Sequence, residues 1–376
     1  MAIWICSSRY VKVDLDNLPQ FGRDQTCEYR GIAVQCGPRG LPGESDFLFN
    51  NDGSGRFTDV SEKAGVGDSR GYFGLGVAWF DFNNDGWLDL YVANDSNANF
   101  MYLNQRDGTF KEVGFPQGVA VSEDGAEQGS MGVAVGDYDN CGRFALFVTN
   151  FSEEYNNLFH NEGDHFTERA FRSKTGAISL PFVGWGNAFA DYENDGLLDL
   201  IAVNGHVYPQ MDKARLGASA GYKQRKLVYH NRGDGTFDEV SAQFGPVMTE
   251  ERVGRGLAAA DLDNDGRIDL VINDLDGSPQ LLRNESTGTG NWLLVKLRGQ
   301  GKNLDAIGAT VSAVTGKVTR RRLVQAGSSY ISQEDLRQHF GLGQATTVDS
   351  IEVRWPDGTT SSVKDVKVNQ IVEIKK

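Results

Sequence analysis

The chain has 376 residues, a length that fits two domains or one repeat domain followed by a smaller one. Its net charge is −14, divided into −19 over residues 1–290 and +5 over residues 291–376. Such an acidic surface repels nucleic-acid phosphates and gains from bound cations, which excludes nucleic acid as a favoured partner. No apolar stretch reaches the ~18 residues that a membrane-spanning helix needs, so no transmembrane segment is predicted.

Residues 1–46 form an N-terminal segment without a repeat pattern. Its first ten residues are too poor an apolar run for a convincing signal peptide. Cys27 and Cys36 bracket a loop short enough to close as a disulfide in an oxidising compartment, and the alternative is two reduced, partly buried thiols. The four cysteines include no Cys-x-x-Cys pair and no histidine at zinc spacing, which argues against a zinc site.

Residues 47–285 contain an acidic decapeptide in four copies, which begin at Asp81, Asp137, Asp191 and Asp261. Each copy follows a small apolar segment and precedes a β-prone run. A second motif between the copies, apolar residues followed by an Asn/Asp/Gly turn and a phenylalanine, predicts a hairpin. One repeat therefore holds roughly four strands in about 55 residues, the size of a propeller blade. We predict an all-β fold of β-propeller blades, each a four-stranded antiparallel sheet.

The acidic copies have the composition of calcium loops. Calcium takes 6–8 oxygen ligands, and a loop with Asp, Asn or Glu at positions 1, 3, 5 and 9 and glycine at position 6 can supply them. Position 12 is Val92 in the first copy, where an EF-hand needs glutamate. The alternative is that these loops are only turns whose side chains cap their own backbone. Three complete copies predict about three Ca²⁺ sites, formed by Asp81, Asn83, Asp85 and Asp89, by Asp191, Glu193, Asp195 and Asp199, and by Asp261, Asp263, Asp265 and Asp269.

The second copy is incomplete. Asp137 and Asp139 remain, but Cys141 and Ala145 occupy positions 5 and 9. A neutral thiol is a poor calcium ligand, so this site is predicted to be weak or empty.

Candidates for catalysis are few. His160 and His230 take equivalent places in the hairpin motif, which favours a structural role. His206 lies in a longer insertion between repeats, and with Tyr208 and Arg225 it forms the first suspect group for an enzyme site. No catalytic constellation is identifiable from the sequence.

Residues 291–376 follow a short linker and alternate apolar and polar residues around a Pro-Asp-Gly turn. This pattern predicts a separate small domain resembling a β-sandwich. The basic run Arg320–Arg322 could bind an anionic polymer, although a solvated strand face is the favoured interpretation.

The repeats, of which "DFNNDGWLDL" is one, resemble the FG-GAP/VCBS repeats that build propellers of the integrin-α type with calcium in the blade loops. The tail, including "NWLLVKLRG" and "IEVRWPDGTTSSV", resembles an ASPIC/UnbV domain. Together they are similar to the bacterial relatives of cartilage acidic protein 1. The resemblance implies a secreted calcium-binding protein, extracellular, periplasmic or at the cell surface, that acts in cell adhesion or matrix interaction.

The chain also departs from that family. Its propellers generally have seven blades, whereas four acidic repeats occur here, as in the C-terminal part of a longer member. Four blades that close alone, strands supplied by residues 1–46, and an incomplete ring with exposed edges for assembly all stay open. The leading hypothesis is a non-catalytic module whose propeller loops recognise a protein or carbohydrate ligand. The alternatives are a polysaccharide-active enzyme and a structural subunit of a surface assembly.

Overall fold

A computed structural model describes residues 3–17, 26–38, 40–213 and 221–376; of the 1–46 segment, residues 1–2, 18–25 and 39 therefore lie outside the described part. The regular secondary structure of the described residues is almost wholly β-strand, with short helical turns. The strands of the repeat region are β1 (Ile3–Ser7), β2 (Cys27–Tyr29), β3 (Ile32–Val34), β4 (Phe47–Asn51), β5 (Phe57–Asp59), β6 (Phe73–Phe80), β7 (Asp89–Asn97), β8 (Phe100–Asn104), β9 (Phe110–Glu112), β10 (Gln128–Gly129), β11 (Val133–Gly136), β12 (Ala145–Val148), β13 (Asn157–Asn161), β14 (Phe166–Glu168), β15 (Gly184–Ala190), β16 (Asp199–Asn204), β17 (Leu227–Asn231), β18 (Phe237–Glu239), β19 (Gly254–Ala260), β20 (Asp269–Asp274) and β21 (Gln280–Leu282).

Short helical turns follow the outermost strands and return the chain to the next sheet. The α-helical turns are α1 (Ser61–Ala64), α2 (Gly114–Gln117), α3 (Gly176–Ser179) and α4 (Pro246–Thr249), and 3₁₀ turns span Leu15–Asn17, Pro209–Lys213 and Ser241–Phe244.

Five antiparallel sheets follow one another along the repeat region. Their strand orders are β1-β4-β5, β6-β7-β8-β9 with β10 paired to the end of β7, β11-β12-β13-β14, β15-β16-β17-β18 and β19-β20-β21. Strands β6, β11, β15 and β19 pack beside one another in that order and are the inner strands of their sheets. The predicted all-β fold of propeller blades is confirmed. The N-terminal segment supplies a strand as well, because β1 pairs with β4.

The hydrophobic cores lie between successive sheets. One core joins Phe80 and Tyr91 of the second sheet to Leu146 and Phe159 of the third. Further cores join the first sheet to the second, the third to the fourth and the fourth to the fifth. A sheet therefore buries both of its faces only where a neighbouring sheet lies on each side. The sheets at the two ends of the series expose large apolar side chains, which are Ile5, Phe57, Val271 and Leu281.

The C-terminal domain consists of two sheets packed face to face. Their orders are β25-β22-β28 and β24-β23-β26-β27, and only the β22–β28 pair is parallel. Leu293 and Phe340 of the first sheet and Val311 and Ile351 of the second share one core. The strands are β22 (Asn291–Arg298), β23 (Thr310–Thr315), β24 (Val318–Leu323), β25 (Gln338–Gly343), β26 (Thr347–Arg354), β27 (Thr360–Lys367) and β28 (Gln370–Lys375).

Candidate functional site: the acidic loops and the aromatic cluster

The four acidic repeats form the connections from each inner strand to the second strand of its sheet. They are called loop 1 (residues 81–89), loop 2 (137–145), loop 3 (191–199) and loop 4 (261–269). Because the inner strands run side by side, all four loops lie at the same end of these strands.

Each loop turns on two residues with positive φ. In loop 1 these are Asn84 (φ 58°) and Gly86 (φ 93°). Asparagine is the non-glycine residue that tolerates the left-handed region best, which explains its recurrence at position 4. The calcium interpretation makes no use of that asparagine, although it occurs in every copy. The equivalent residues are Asn140, Asn194 and Asn264 at position 4 and Gly142, Gly196 and Gly266 at position 6.

The first aspartate of a loop caps the loop's own backbone. Asp81 Oδ1 accepts the N–H of Asp85 at 2.9 Å, and Asp81 Oδ2 accepts the N–H of Gly86 at 2.7 Å. Asp191 and Asp261 make the same pair of bonds in loops 3 and 4. The turn geometry of the simpler alternative is therefore present. It does not preclude a metal, because each carboxylate oxygen keeps a further lone pair.

The predicted ligand sets are brought together unequally. In loop 4, oxygens of Asp261, Asp263 and Asp265 lie within 4.8 Å of one another. The fourth member of the predicted set, Asp269 at position 9 of the loop, is not part of this group and accepts the backbone N–H of Asn284 at 2.8 Å. Loop 4 is thus the loop whose first, third and fifth positions converge.

In loop 3 a different group converges. Glu193 and Asp199 gather around His230, whose Nδ1 lies 2.8 Å from Glu193 Oε1. Asp199 is 1% exposed, and within the described part of the chain its Oδ2 accepts no hydrogen bond. Asp191 and Asp195 are not members of this group.

In loop 1, where position 3 is Asn83, no three Asp, Glu, His or Cys side chains converge among the described residues. Asp85 pairs with Arg106 at 2.7 Å, and Asn83 Nδ2 donates to Asp85 at 3.2 Å. Asp89, at position 9, accepts the N–H groups of Asn104 and Phe82.

The electrostatics of the loops favour a bound cation. Burial raises the pKa of Asp89 to about 8 despite its two backbone donors. Burial, followed by repulsion from Asp199 and Asp195, raises the pKa of Asp191 to about 8. At Asp89 and Asp191 the backbone donors thus leave the carboxylate charge under-compensated, and a cation would stabilise the ionised forms. An all-oxygen donor set fits a hard divalent ion such as calcium.

The C-terminal domain lies against all four loops. Arg354 Nη1 is 3.5 Å from Asp81 Oδ2 in loop 1, and Arg321 Nη1 donates to the Gly142 carbonyl of loop 2 at 2.7 Å. In loop 4, Arg337 Nη2 donates to the carbonyl of Asp261 at 2.7 Å. Arg320 contacts loop 3 at Gly196. The positive charge of the last 86 residues therefore faces the negative charge of the repeats.

This arrangement corrects the interpretation of the basic run. A solvated strand face was expected, but Arg320 is 7% exposed and Arg322 is 9% exposed. Both are buried between the two domains, where coulombic attraction to Asp191 opposes the desolvation that lowers their pKa values. The prediction was wrong because an alternating strand does not reveal what its polar face meets.

The position-6 glycines also make room for this contact. A Cβ on Gly86 would collide with Arg354, and a Cβ on Gly266 would collide with the ring of Trp292. Their role thus extends beyond the sharp reversal that the sequence predicts.

A cluster of aromatic side chains lies at the opposite end of the inner strands. Here the name "aromatic cluster" means Tyr29, Phe151, Trp185, His206, Tyr208 and Tyr330. Trp185 is near the start of β15, whereas loop 3 follows the end of that strand, about 20 Å away at ~3.3 Å per residue.

The aromatic cluster combines ring faces with polar groups. The Trp185 and Tyr330 rings are 4.7 Å apart, and the Arg255 guanidinium lies 4.2 Å from the centre of the Trp185 ring. The disulfide-closed hairpin β2–β3 presents Tyr29, whose ring is 5.4 Å from His206. The rings of Tyr29, Tyr208 and Tyr330 are partly exposed, whereas His206 is 1% exposed.

The group suspected of catalysis assembles only in part. His206 and Tyr208 lie together with ring centres 5.2 Å apart. Arg225 is not with them, since its guanidinium pairs with Glu239 at 2.8 Å and lies over Phe182. Arg255 takes that place, donating to the carbonyl of His206 at 3.2 Å. Its only signal in the sequence was a charged residue within the small apolar segment that precedes loop 4.

Two family models match the chain. The model of the FG-GAP-like repeat matches residues 40–92, 81–148 and 218–272. The model described as "ASPIC and UnbV" matches residues 299–376. The chain therefore contains FG-GAP-like repeats followed by an ASPIC/UnbV domain.

It is also homologous to cartilage acidic protein 1. The human protein of that name is 28% identical over 322 residues, covering 84% of this chain and 46% of the relative. The mouse protein is 28% identical over 322 residues, covering 84% of this chain and 47% of the relative. The chain thus spans about half the length of the curated relatives it matches.

Solved structures give weaker similarities. A lectin of Agrocybe aegerita described as recognising non-reducing terminal N-acetylglucosamine is 16% identical, with 86% of this chain and 91% of that chain covered and a TM-score of 0.38. The V. cholerae biofilm matrix protein Bap1 is 10% identical, with 97% and 59% covered and a TM-score of 0.32. At these TM-scores the similarities carry no argument. Among the described residues, no helix has the length and apolar character to cross a membrane.

Proposed function

We propose that this chain is a calcium-binding, non-catalytic module that works outside the cytoplasm and recognises a glycan or protein through its aromatic cluster. The observation that carries the proposal is the separation of the two ends of the inner strands. One end holds the acidic loops and is covered by the C-terminal domain. The other end presents the partly exposed aromatic cluster to solvent.

The composition of the aromatic cluster favours a carbohydrate among the two ligand classes. Ligand sites combine apolar ring surface with a few placed polar groups. Here Tyr29, Tyr208 and Tyr330 supply ring faces and hydroxyls, and Arg255 supplies a cation. Sugars offer apolar C–H faces for the rings and hydroxyls for the polar groups.

The calcium part of the proposal rests on loop 4, followed by loop 3. Loop 4 converges three carboxylates, and loop 3 holds the orphaned Asp199 Oδ2. Bound calcium would stabilise the sheets through the turns that link their strands. The secreted location is supported by the Cys27–Cys36 disulfide, since such bonds persist in oxidising compartments. The name of the cartilage relatives is consistent with a role outside the cell.

Two measurements test this proposal. Thermal unfolding in calcium and then in chelator should differ, because calcium at 100 times its Kd adds ~2.7 kcal/mol per independent site. An unchanged melting temperature would remove calcium from the proposal. Glycan-array binding by wild type should be lost in Tyr208→Ala and retained in Phe115→Ala, which changes an exposed aromatic side chain of the α2 turn that is not part of the aromatic cluster. Turnover of an acidic polysaccharide would favour the enzyme alternative instead.

The structural-subunit alternative has one observation of its own. The two end sheets expose Phe57 (47%) and Leu281 (67%), which are surfaces that a further sheet would cover. If a second copy of the chain covers them, molar mass by light scattering will exceed 41.2 kDa and fall towards it in Leu281→Ser.

A further inference from the structure

Loop 2 differs from the other three loops in the chemistry of its position-5 side chain. Cys141 occupies position 5, where loops 1, 3 and 4 have aspartate. One ligand atom each of Asp139, Cys141 and His160 lies within 4.8 Å of the other two. The third side chain comes from strand β13. The fold therefore brings the group together, and the spacing of residues in the sequence does not reveal it.

His160 is oriented as a metal-binding histidine would be. The residue is 4% exposed, its Nε2 lies 2.8 Å from Asp139 Oδ2, and its Nδ1 lies 3.3 Å from Glu162 Oε1. A neutral imidazole has one N–H and can donate it to only one of these two carboxylates. Histidines that bind metals commonly turn the second ring nitrogen towards a carboxylate. Among the described residues Nδ1 makes no hydrogen bond, so Nδ1–H is free to turn to Glu162 when a cation replaces the hydrogen that Nε2 and Asp139 Oδ2 now share.

A second observation comes from the start of the loop. Asp137 is 0% exposed, and within the described residues its Oδ1 has no hydrogen-bond partner. In loops 1, 3 and 4 the equivalent oxygen accepts the N–H of the position-5 aspartate. In loop 2 the N–H of Cys141 donates to Asp139 Oδ1 at 3.3 Å. Loop 2 therefore keeps a buried anionic oxygen that its own backbone does not satisfy.

We propose that Asp139, Cys141 and His160 bind a borderline transition-metal ion of the zinc class. Thiolate, imidazole and carboxylate are the ligand types that Zn²⁺ takes, and three protein ligands leave a fourth position for water. Ligand atoms around a tetrahedral zinc ion are about 3.4–3.6 Å apart. Nε2 and Asp139 Oδ2, now 2.8 Å apart, would therefore separate, and the other ligand atoms, all within 4.8 Å of one another, would adjust around the ion. Binding forms a Zn–S bond and releases the thiol proton to solvent. Asp139 and Cys141 are exposed, which gives the ion an entry path.

The proposal sets loop 2 apart from the other loops by metal class. Calcium avoids sulfur and nitrogen ligands, so the substitution that weakens loop 2 for calcium suits it to a softer ion. Glu162, held by Arg169, becomes the outer partner that positions His160.

Zinc titration of the full chain by calorimetry, with calcium in excess, tests the assignment. We expect one tight equivalent of Zn²⁺ that Cys141→Ser and His160→Ala abolish. The control variant His165→Ala, at an exposed histidine outside the group, should retain it. Glu162→Gln should weaken zinc binding about 10–100-fold. Equal zinc affinity in wild type, Cys141→Ser and His160→Ala would overturn the proposal, as would displacement of zinc by calcium.

A measurement on the wild-type chain removes any dependence on how the variants fold. Co²⁺ in place of zinc should give a thiolate-to-cobalt charge-transfer band, and bound zinc should protect Cys141 from iodoacetamide. Absence of the band together with unprotected alkylation would contradict a metal–thiolate bond.

Discussion

Arg321 of β24 joins two neighbouring acidic loops, since its Nη1 donates to the Gly142 carbonyl of loop 2 at 2.7 Å and to Asn84 Oδ1 of loop 1. These contacts span 179 and 237 residues of sequence. The C-terminal domain is therefore a clamp across adjacent blades, held by charge and by backbone carbonyls. Its removal should loosen the repeats.

Arg337→Ala tests the clamp at loop 4. The guanidinium donates to the Asp261 carbonyl and to Asn264, and it pairs with Asp335. Hydrogen bonds to a charged group contribute about 1.5–3 kcal/mol, so the free energy of unfolding in urea should fall by that amount. The control is Arg298→Ala, an exposed pair with Glu373 whose loss should cost about 0–1 kcal/mol. Equal effects of the two variants would show that the clamp contributes no stability.

Asn231→Ala tests the link between blades. Asn231 Nδ2 donates at 2.8 Å to the carbonyl of Leu198 in its own sheet and to that of Tyr138 in the preceding one. Because both carbonyls are buried, losing their donor should cost about 2–4 kcal/mol in denaturant unfolding. Among the described residues, the counterpart Asn104 donates to Leu88 alone, so Asn104→Ala should cost roughly half as much. A larger loss in Asn104→Ala would contradict this assignment.

Acid should destabilise the fold through His206. Burial, and then the charges of Arg30 and Arg255, lower its pKa from 6.5 to about 4, and its Nδ1 accepts the N–H of Tyr208 at 3.1 Å. The folded-state pKa lies below the unfolded value, so the unfolded chain binds the proton first. Stability is therefore lost as pH falls from 6.5 towards 4, by about 3 kcal/mol in total.

The measurement for His206 is the free energy of unfolding between pH 7 and pH 4. His206→Gln keeps an acceptor for Tyr208 but does not titrate, so its acid loss should be smaller than that of wild type. The exposed His165→Gln should follow the wild-type profile. Superimposable profiles of wild type and His206→Gln would refute the prediction.

The disulfide should support the aromatic cluster. Tyr29 lies inside the hairpin closed by Cys27 and Cys36, and its hydroxyl bonds to Ser152 at 2.5 Å. The double variant Cys27→Ser/Cys36→Ser frees the hairpin, and a loop of this length is worth about 2.5 kcal/mol by chain entropy. Hydrogen exchange should accelerate in β2 and β3 but not in β13. Unchanged exchange in the hairpin would mean that packing alone holds Tyr29.

The repeats were predictable because their information is local. Asp81 and Gly86 belong to one turn, and turn chemistry recurring at a fixed register defines a blade. The local spacing of Asp261, Asp263 and Asp265 permits their convergence but does not determine it, because carboxylates at the same spacing in loop 3 do not form such a group.

The contacts between the domains and those between loop 2 and β13 could not be predicted, because the residues that make them are far apart in the sequence. Arg321 looks like any polar strand residue until the fold brings Gly142 beneath it. Likewise His160 meets Cys141 only because β13 passes beside loop 2, and Trp185 meets Tyr330 from another domain.

The segment around Ser329 has a consequence for how the chain folds. Ser329 and Val133 exchange two backbone hydrogen bonds, at 3.0 and 2.8 Å, so the inner strand β11 is completed by residues made almost 200 positions later. During synthesis β11 can pair with β12, but the N–H and carbonyl of Val133 must wait for Ser329. Contacts of such sequence separation form slowly. We expect the final docking to limit the folding rate, and a chain stalled before it to be the species most prone to aggregate.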